Sequence, residues 1–305
     1  MPHRVLVTGA AGFVGQHLVA ALRADDVVAP VTAWRRADVD LVEAGVVHRA
    51  VAALRPTHVY HCAGAASTAN SWRTRAATLR TNVIGTQHLL DALQAHAPGA
   101  RVLIPGSAFV YHPKPTALTE DDALGPINPY GVSKLAQEML ARRVATADGL
   151  DIILTRSFTH IGPGQGTGYA ASSFASRIAR IETGGVEPVI DVGALDARRD
   201  ILDVRDTVAA YRALMNRGRG GTVYNVCSST AHPMQTVLDR LLALSDRPIG
   251  VRVDAARLRP SDYPLLLGDN ARLTGATGWR PTVSLDEALA RLLDDWRARV
   301  RKEVA

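Results

Sequence analysis

The sequence predicts an open, doubly wound α/β fold: a parallel sheet with helices on both faces, followed by a smaller α/β lobe. Three observations carry this. Strand candidates alternate with helical periods through residue 158. The first strand runs straight into a glycine-spaced turn and a helix. A later strand, Val59 to Ala66, ends in small residues. At 305 residues and 47% hydrophobic content, the chain can bury a large core, as one large domain or two intertwined ones.

Arg4-Val5-Leu6-Val7-Thr8 is the first strand, and an apolar-periodic helix runs to about Arg23. Between them lie Gly9, Gly12, Phe13, Val14 and Gly15. Gly9 permits a tight turn, Gly12 lets a pyrophosphate approach the helix N-terminus, and Gly15 allows helix and strand to pack closely. This is the entrance of a Rossmann-type dinucleotide site, with G-x-x-G-x-x-G spacing. Val27 to Ala33 reads as the second strand and runs into Trp34-Arg35-Arg36. An NAD site usually ends this strand with a carboxylate on the ribose. Two readings of Arg35 and Arg36 stand: exposed surface arginines, or a clamp on a 2′-phosphate. The second favours NADP, with NAD possible.

Asp40-Leu41 is expected to close a short third strand beside the adenine, and Val42 to Leu54 is a helix. At the end of the Val59 strand, Cys62, Ala63 and Gly64 are small enough for a cofactor to lie across them; His61 reads as a packed core residue. Trp72 to His96 is one long helix, with Asn82 inside it needing a polar partner. Arg101 to Pro105 is a strand that delivers Ser107 to the crevice where such sheets bind ligands. A proline-rich loop leads to a helix from Pro129 to Ala147. Tyr130 and Lys134 stand one turn apart on it. A free tyrosine titrates near 10, about three units too high for neutral catalysis, and a neighbouring ammonium favours the phenolate. Asp151 to Phe158 is a further strand.

From Thr159 the elements become shorter and mixed. A glycine-rich loop spans His160 to Gly166, helices run over Ala171–Ile181, Thr207–Asn216, Pro233–Leu244 and Leu285–Arg301, and strands over Glu187–Val192, Thr222–Cys227 and around Val251. This assigns residues 1–158 to a dinucleotide-binding domain to which 194–227 returns. Residues 159–193 and 228–305 form a substrate-binding lobe.

Composition narrows the partners. The charge is 35 − 29 = +6, with no basic run and no interleaved basic and aromatic stripe, which argues against nucleic acid. Dispersed arginine suits anionic small molecules through bidentate pairing. Two cysteines, Cys62 and Cys227, exclude a disulfide framework by number. No metal site is expected. No signal peptide or membrane-length apolar run is seen, so a soluble cytoplasmic enzyme is expected.

The Gly9-x-x-Gly12-x-x-Gly15 turn, Ser107 four residues before Tyr111, and Tyr130-x-x-x-Lys134 together resemble the extended short-chain dehydrogenase/reductase family, across the whole chain. The resemblance implies that Tyr130 is the general acid-base and that Ser107 hydrogen-bonds the substrate oxygen. By the same resemblance Lys134 lowers the tyrosine's pKa and holds the nicotinamide ribose, and Asn82 orders the site. Within the family, several stretches are similar to GDP-4-keto-6-deoxy-D-mannose reductases: Thr155 to Gln165, Arg199 to Asp206, Val223 to Ser229, Arg259 to Asp262, and Thr277 to Pro281. That likeness implies an NADP-dependent reduction of a GDP-linked keto sugar. Arg199 and Arg259 would clamp the diphosphate and Asp262 the ribose. Ser67, Ala108, Phe109, Thr159 and His160 would face the substrate. Related dehydratases have a glutamate where this chain has Phe109, which argues against dehydration. A nucleotide-sugar epimerase with retained NAD is the rival activity. A non-catalytic cofactor-sensing or RNA-binding module is the rival of another class. A homodimer is the family habit.

Overall fold

The computed structural model describes residues 3–25, 30–255 and 263–304. Val5–Thr8 (β1) is apolar or β-branched throughout and wholly buried, and the glycine turn leads it into Phe13–Arg23 (α1). Val31–Trp34 (β2), Ala44–Leu54 (α2) and His58–His61 (β3) follow. Two short helices come next, Thr68–Ser71 (α3) and Arg75–Leu79 (α4), then a π-helical turn at Arg80–Ile84 and Gly85–His96 (α5). Arg101–Ser107 (β4), Pro129–Ala147 (α6) and Asp151–Ser157 (β5) complete this half. Helix α6 begins where its sequence says it should. Pro129 takes the first helical position, and the Asn128 side chain accepts the Gly131 N–H at 2.8 Å.

The second half contains Thr159–Ile161 (β6), Ala170–Glu182 (α7), Val189–Val192 (β7), Arg198–Asp203 (β8) and Val204–Arg217 (α8). Val223–Val226 (β9), Ala231–Pro233 (β10), Met234–Ala243 (α9) and Gly250–Val253 (β11) follow. Leu265–Leu266 (β12), Ala271–Thr277 (α10) and Leu285–Val304 (α11) end the chain.

Among the described residues the large sheet has six parallel strands in the order β2-β1-β3-β4-β5-β9. One apolar cluster joins α2, α5 and α6 to one face, and another joins α1 and α8 to the other. From β1 the chain goes first to β2 on one side and then to β3 on the other. The crevice between the ends of β1 and β3 is therefore the point where such sheets bind ligands. Thr8 pairs with His61, so both strands end at one level there. A smaller sheet, β10-β8-β12 with β6 on β8, and a β11-β7 pair lie outside the large sheet. Helices α7, α9 and α11 share a separate core with β7. Segment 194–227 divides: β8 joins the smaller sheet, whereas α8 and β9 pack on the large one. No helix among the described residues is long and apolar enough to cross a membrane.

Three expected elements differ. Asp40-Leu41 is no strand: the Asp40 carboxylate accepts the Val42 N–H at 3.1 Å and turns the backbone, so α2 starts only at Ala44. The Val59 strand stops at His61 because side chains satisfy the backbone beyond it: Thr8 takes the Ala63 N–H and Asn82 the Ala65 N–H. The long Trp72 helix is broken by the π turn. Around that turn the buried stripe is polar (Thr78, Asn82 and Thr86) while Leu79 and Ile84 are exposed; from Leu89 onward it is apolar. Hydrophobic periodicity is blind to that first part alone.

Candidate active site

The glycine turn is built for close approach. Gly9 has φ +67°, and a Cβ there would lie 2.5 Å from the Ala63 nitrogen; one on Gly15 would lie 2.2 Å from the Gly9 oxygen. Gly12 is the N-cap of α1, which has no side-chain cap and no acidic residue in its first turn. Such a helix end presents bare N–H groups to an anion. Phe13 and Val14 open the helix, and the Phe13 ring stacks on His160 with centroids 5.9 Å apart. A cavity of about 310 Å³ continues from this turn. It is lined by Gly9 and Gly12, by Trp34, Arg35, Arg36, Asp40 and Leu41, and by Cys62, Ala63 and Gly64. The shape and the donors fit the adenosine and pyrophosphate of a dinucleotide. Arg35 and Arg36 are exposed at its rim, paired to Asp38 at 2.9 Å and Asp40 at 3.3 Å. Exposed pairs of this kind are weak, so a more highly charged phosphate competes for either guanidinium.

Ser107 ends β4 and faces the start of α6. Its hydroxyl accepts the Phe109 N–H at 3.2 Å. Burial pushes the Tyr130 phenol up to about 12, a hydrogen bond with Ser107 works against that rise, and nearby Tyr169 adds to it. Among the described residues no hydrogen bond joins Lys134 to Tyr130. The lysine's ammonium is committed elsewhere, donating to the Pro105 carbonyl and to Gln137 Oε1, each at 2.7 Å. Lys134 is itself lowered to about 8, by burial, with the Cys62 thiol a small opposing influence. Among the described residues no carboxylate pairs with it. Asn82 finds the partners it needed: its side chain holds the Ala65 N–H at 2.7 Å and donates to the Ala65 carbonyl and to Ser133 Oγ at 2.9 Å. Ser133 in turn donates to the Tyr130 carbonyl at 2.7 Å. The helix turn bearing Tyr130 is thus tied to the strand end at 63–65.

On the substrate side, the Phe109 ring meets Tyr130 edge-on at 6.2 Å and Tyr263 at 5.2 Å. Ala108 is buried. Thr159 and His160 lie on β6 beside β8, and burial lowers the His160 imidazole. Ser67 caps α3 through the Asn70 N–H. Arg199 donates to the Tyr263 carbonyl at 2.6 Å, and the Tyr263 hydroxyl to the Phe109 and Tyr111 carbonyls at 3.2 and 3.1 Å. That chain brings Arg199 to the Phe109 side of the cleft. Asp200 beside it accepts from Ser228, Ser229 and Gly268, and fixes the loops around Arg199. Arg259 and Asp262 lie outside the described residues. Sequence reasoning missed Tyr169. Its hydroxyl reaches back to the Ala66 carbonyl at 3.4 Å, across the cleft from Tyr130. Its one signal was an aromatic directly after a glycine-rich loop.

A family model for the NAD dependent epimerase/dehydratase family matches residues 5–227, and the chain belongs to that family. It is similar to the GDP-6-deoxy-D-mannose reductase of Pseudomonas aeruginosa, 36% identical over 99% of this chain and 100% of that one. Its structure resembles that of RMD from Pseudomonas aeruginosa complexed with NADPH, with a TM-score of 0.89 and 34% identity over 97% of this chain and 99% of that one. The UDP-glucose 4-epimerase of Azospirillum brasilense is 29% identical over 99% of this chain and 94% of its own length.

Proposed function

We propose that this protein is an NADP-dependent reductase of a nucleotide-linked 4-keto-6-deoxy sugar, converting GDP-4-keto-6-deoxy-D-mannose to GDP-D-rhamnose. The carrying observation is geometric: Ser107 and Tyr130 stand together beside a dinucleotide cleft, with the apolar Phe109 ring where dehydration would need a carboxylate. The likeness to the Pseudomonas reductase supports the same reading. A reduced nicotinamide, when bound, supplies the hydride for C4.

The chain's own residues do the rest. Ser107 and Tyr130 receive the ketone oxygen, and Tyr130 gives it a proton as negative charge develops. Lys134 holds the nicotinamide ribose. Arg35 and Arg36 take the 2′-phosphate, and the bare end of α1 takes the pyrophosphate. Arg199 meets the substrate diphosphate, with Arg259 and Asp262 as further ligands by resemblance; Ser67, Thr159 and His160 face the sugar. The protein works in the cytoplasm as a homodimer. Leu79, Ile84, Val132 and Met139 are exposed apolar residues on the α4-to-α6 surface suited to pairing.

NADPH oxidation with a small panel of nucleotide-linked 4-keto sugars tests this reading. One NADPH should be consumed per GDP-4-keto-6-deoxy-D-mannose. The epimerase reading, supported by the Azospirillum relative, predicts instead that the purified protein retains stoichiometric NAD and consumes no NADPH.

A further inference from the structure

Behind Lys134 lies a chain of buried polar groups that the reaction itself does not call for. Gln137 is 1% exposed. Its oxygen accepts from Lys134 and its nitrogen donates to Thr86 Oγ1, both at 2.7 Å. Thr86 Oγ1 also meets His61 Nε2 at 2.9 Å and donates to the Asn82 carbonyl at 2.7 Å. His61 Nδ1 meets Thr8 Oγ1 at 2.8 Å, and Thr8 Oγ1 accepts the Ala63 N–H at 3.2 Å.

Proton counting fixes every direction in this chain. A hydroxyl has one proton. That of Thr86 is committed to the Asn82 carbonyl, so Thr86 only accepts from its other partners. His61 must then carry its proton on Nε2 and receive the Thr8 hydroxyl at Nδ1. Burial and the nearby Lys134 hold this imidazole neutral, down to about 3. Gln137 must turn its NH₂ toward Thr86 and its oxygen toward Lys134. The opposite amide orientation would aim N–H groups at an ammonium and leave the amide oxygen without a proton.

We propose that Gln137 is the positioning residue of Lys134, its amide locked oxygen-first by the Thr8–His61–Thr86 chain so that the lysine is anchored at two points and keeps one N–H for the cofactor ribose. The inference rests on the reading of Lys134 as the ribose-holding residue. Of three ammonium donors, Pro105 and Gln137 take two. His61, which sequence reasoning left as packing, becomes the link that sets the polarity of the chain.

The test is a double-mutant cycle on NADPH affinity, read by fluorescence titration of the wild type, Gln137→Met, Lys134→Met and the double variant, with thermal unfolding of each protein. Gln137→Met should weaken NADPH binding and lower kcat, each by about 10- to 100-fold, the scale of a misplaced group. The KM for the keto sugar should hold. In the Lys134→Met background the same substitution should leave NADPH affinity unchanged. Thr86→Val, which unlocks the amide from the far side, should act in the same direction as Gln137→Met and stands in if that variant does not fold. Wild-type affinity and kcat in Gln137→Met, or an equal loss in the presence and absence of Lys134, overturns the proposal. A wild type that binds NADPH but reduces no keto sugar overturns the assigned reaction instead, and the affinity cycle still judges Gln137.

Discussion

Helix α6 carries one buried cation, Lys134, and through Glu138 holds another, Arg156, and the two are treated in opposite ways. Arg156, on β5, is 1% exposed and held by Glu138 through two hydrogen bonds of 2.9 and 2.7 Å. A third goes to the Glu120 carbonyl at 2.9 Å, and the guanidinium lies 4.6 Å from the Tyr111 ring centroid. Lys134, 8% exposed, meets among the described residues only the neutral oxygens of Pro105 and Gln137. The first charge is compensated and saturated. The second is desolvated, directed and uncompensated. Removing a partner from a saturated buried pair leaves a stranded ion, so such pairs anchor. A buried cation without a counter-charge costs stability, and a desolvated charge held at a ligand cleft marks a working site.

Substitutions can break this contrast. The largest effect on turnover is expected from Tyr130→Phe, which removes the proton donor the uncompensated side serves. Its kcat should fall by about 10²- to 10⁴-fold with unfolding in urea unchanged. Glu138→Gln should do the reverse: a stability loss of about 3–5 kcal/mol in urea unfolding, with normal turnover per folded molecule. If Glu138→Gln were harmless to stability, the anchoring half of the contrast would be wrong.

Lys134→Met should remove most turnover and yet stabilise the unliganded protein. The folded-state value of Lys134, about 8, lies below its ordinary 10.5. Between those values the unfolded chain binds more protons, so this group's unfavourable contribution is full below pH 8 and fades as pH rises toward 10.5. The gain from Lys134→Met should accordingly be larger in chemical unfolding at pH 7 than at pH 10. The smallest effect is on the pH profile: kcat/KM should decline above about pH 8 as Lys134 loses its charge, and Gln137→Glu should move that limb upward.

The same contrast explains what the sequence could disclose. Gly9, Gly12 and Gly15 are legible because a tight turn, an anion site and a close packing contact each demand glycine within seven residues. The start of α6 is legible because Asn128 and Pro129 cap it locally. The Lys134 anchor is not, since Thr8, His61, Thr86 and Gln137 come from four separate elements and meet only after folding. The helix over 75–96 is legible, whereas the π register at Arg80–Ile84 within it leaves no sequence mark. Asp40 looked like a strand end because the Asx turn that captures its backbone leaves no hydrophobic pattern. On the substrate side, Arg199, His160 and Tyr169 sit on different segments, so resemblance reached the first two, and the third had only its place after a glycine-rich loop to mark it.

The most direct test of the central claim, that the uncompensated side of α6 serves a ketone reduction, is isotopic. NADPH carrying deuterium at the transferring nicotinamide position is turned over with GDP-4-keto-6-deoxy-D-mannose, and the product is read by NMR. The account predicts one deuterium at sugar C4 for each NADPH consumed, and loss of that label in Tyr130→Phe. Product formed without deuterium at C4, or with NADPH left untouched, would contradict it.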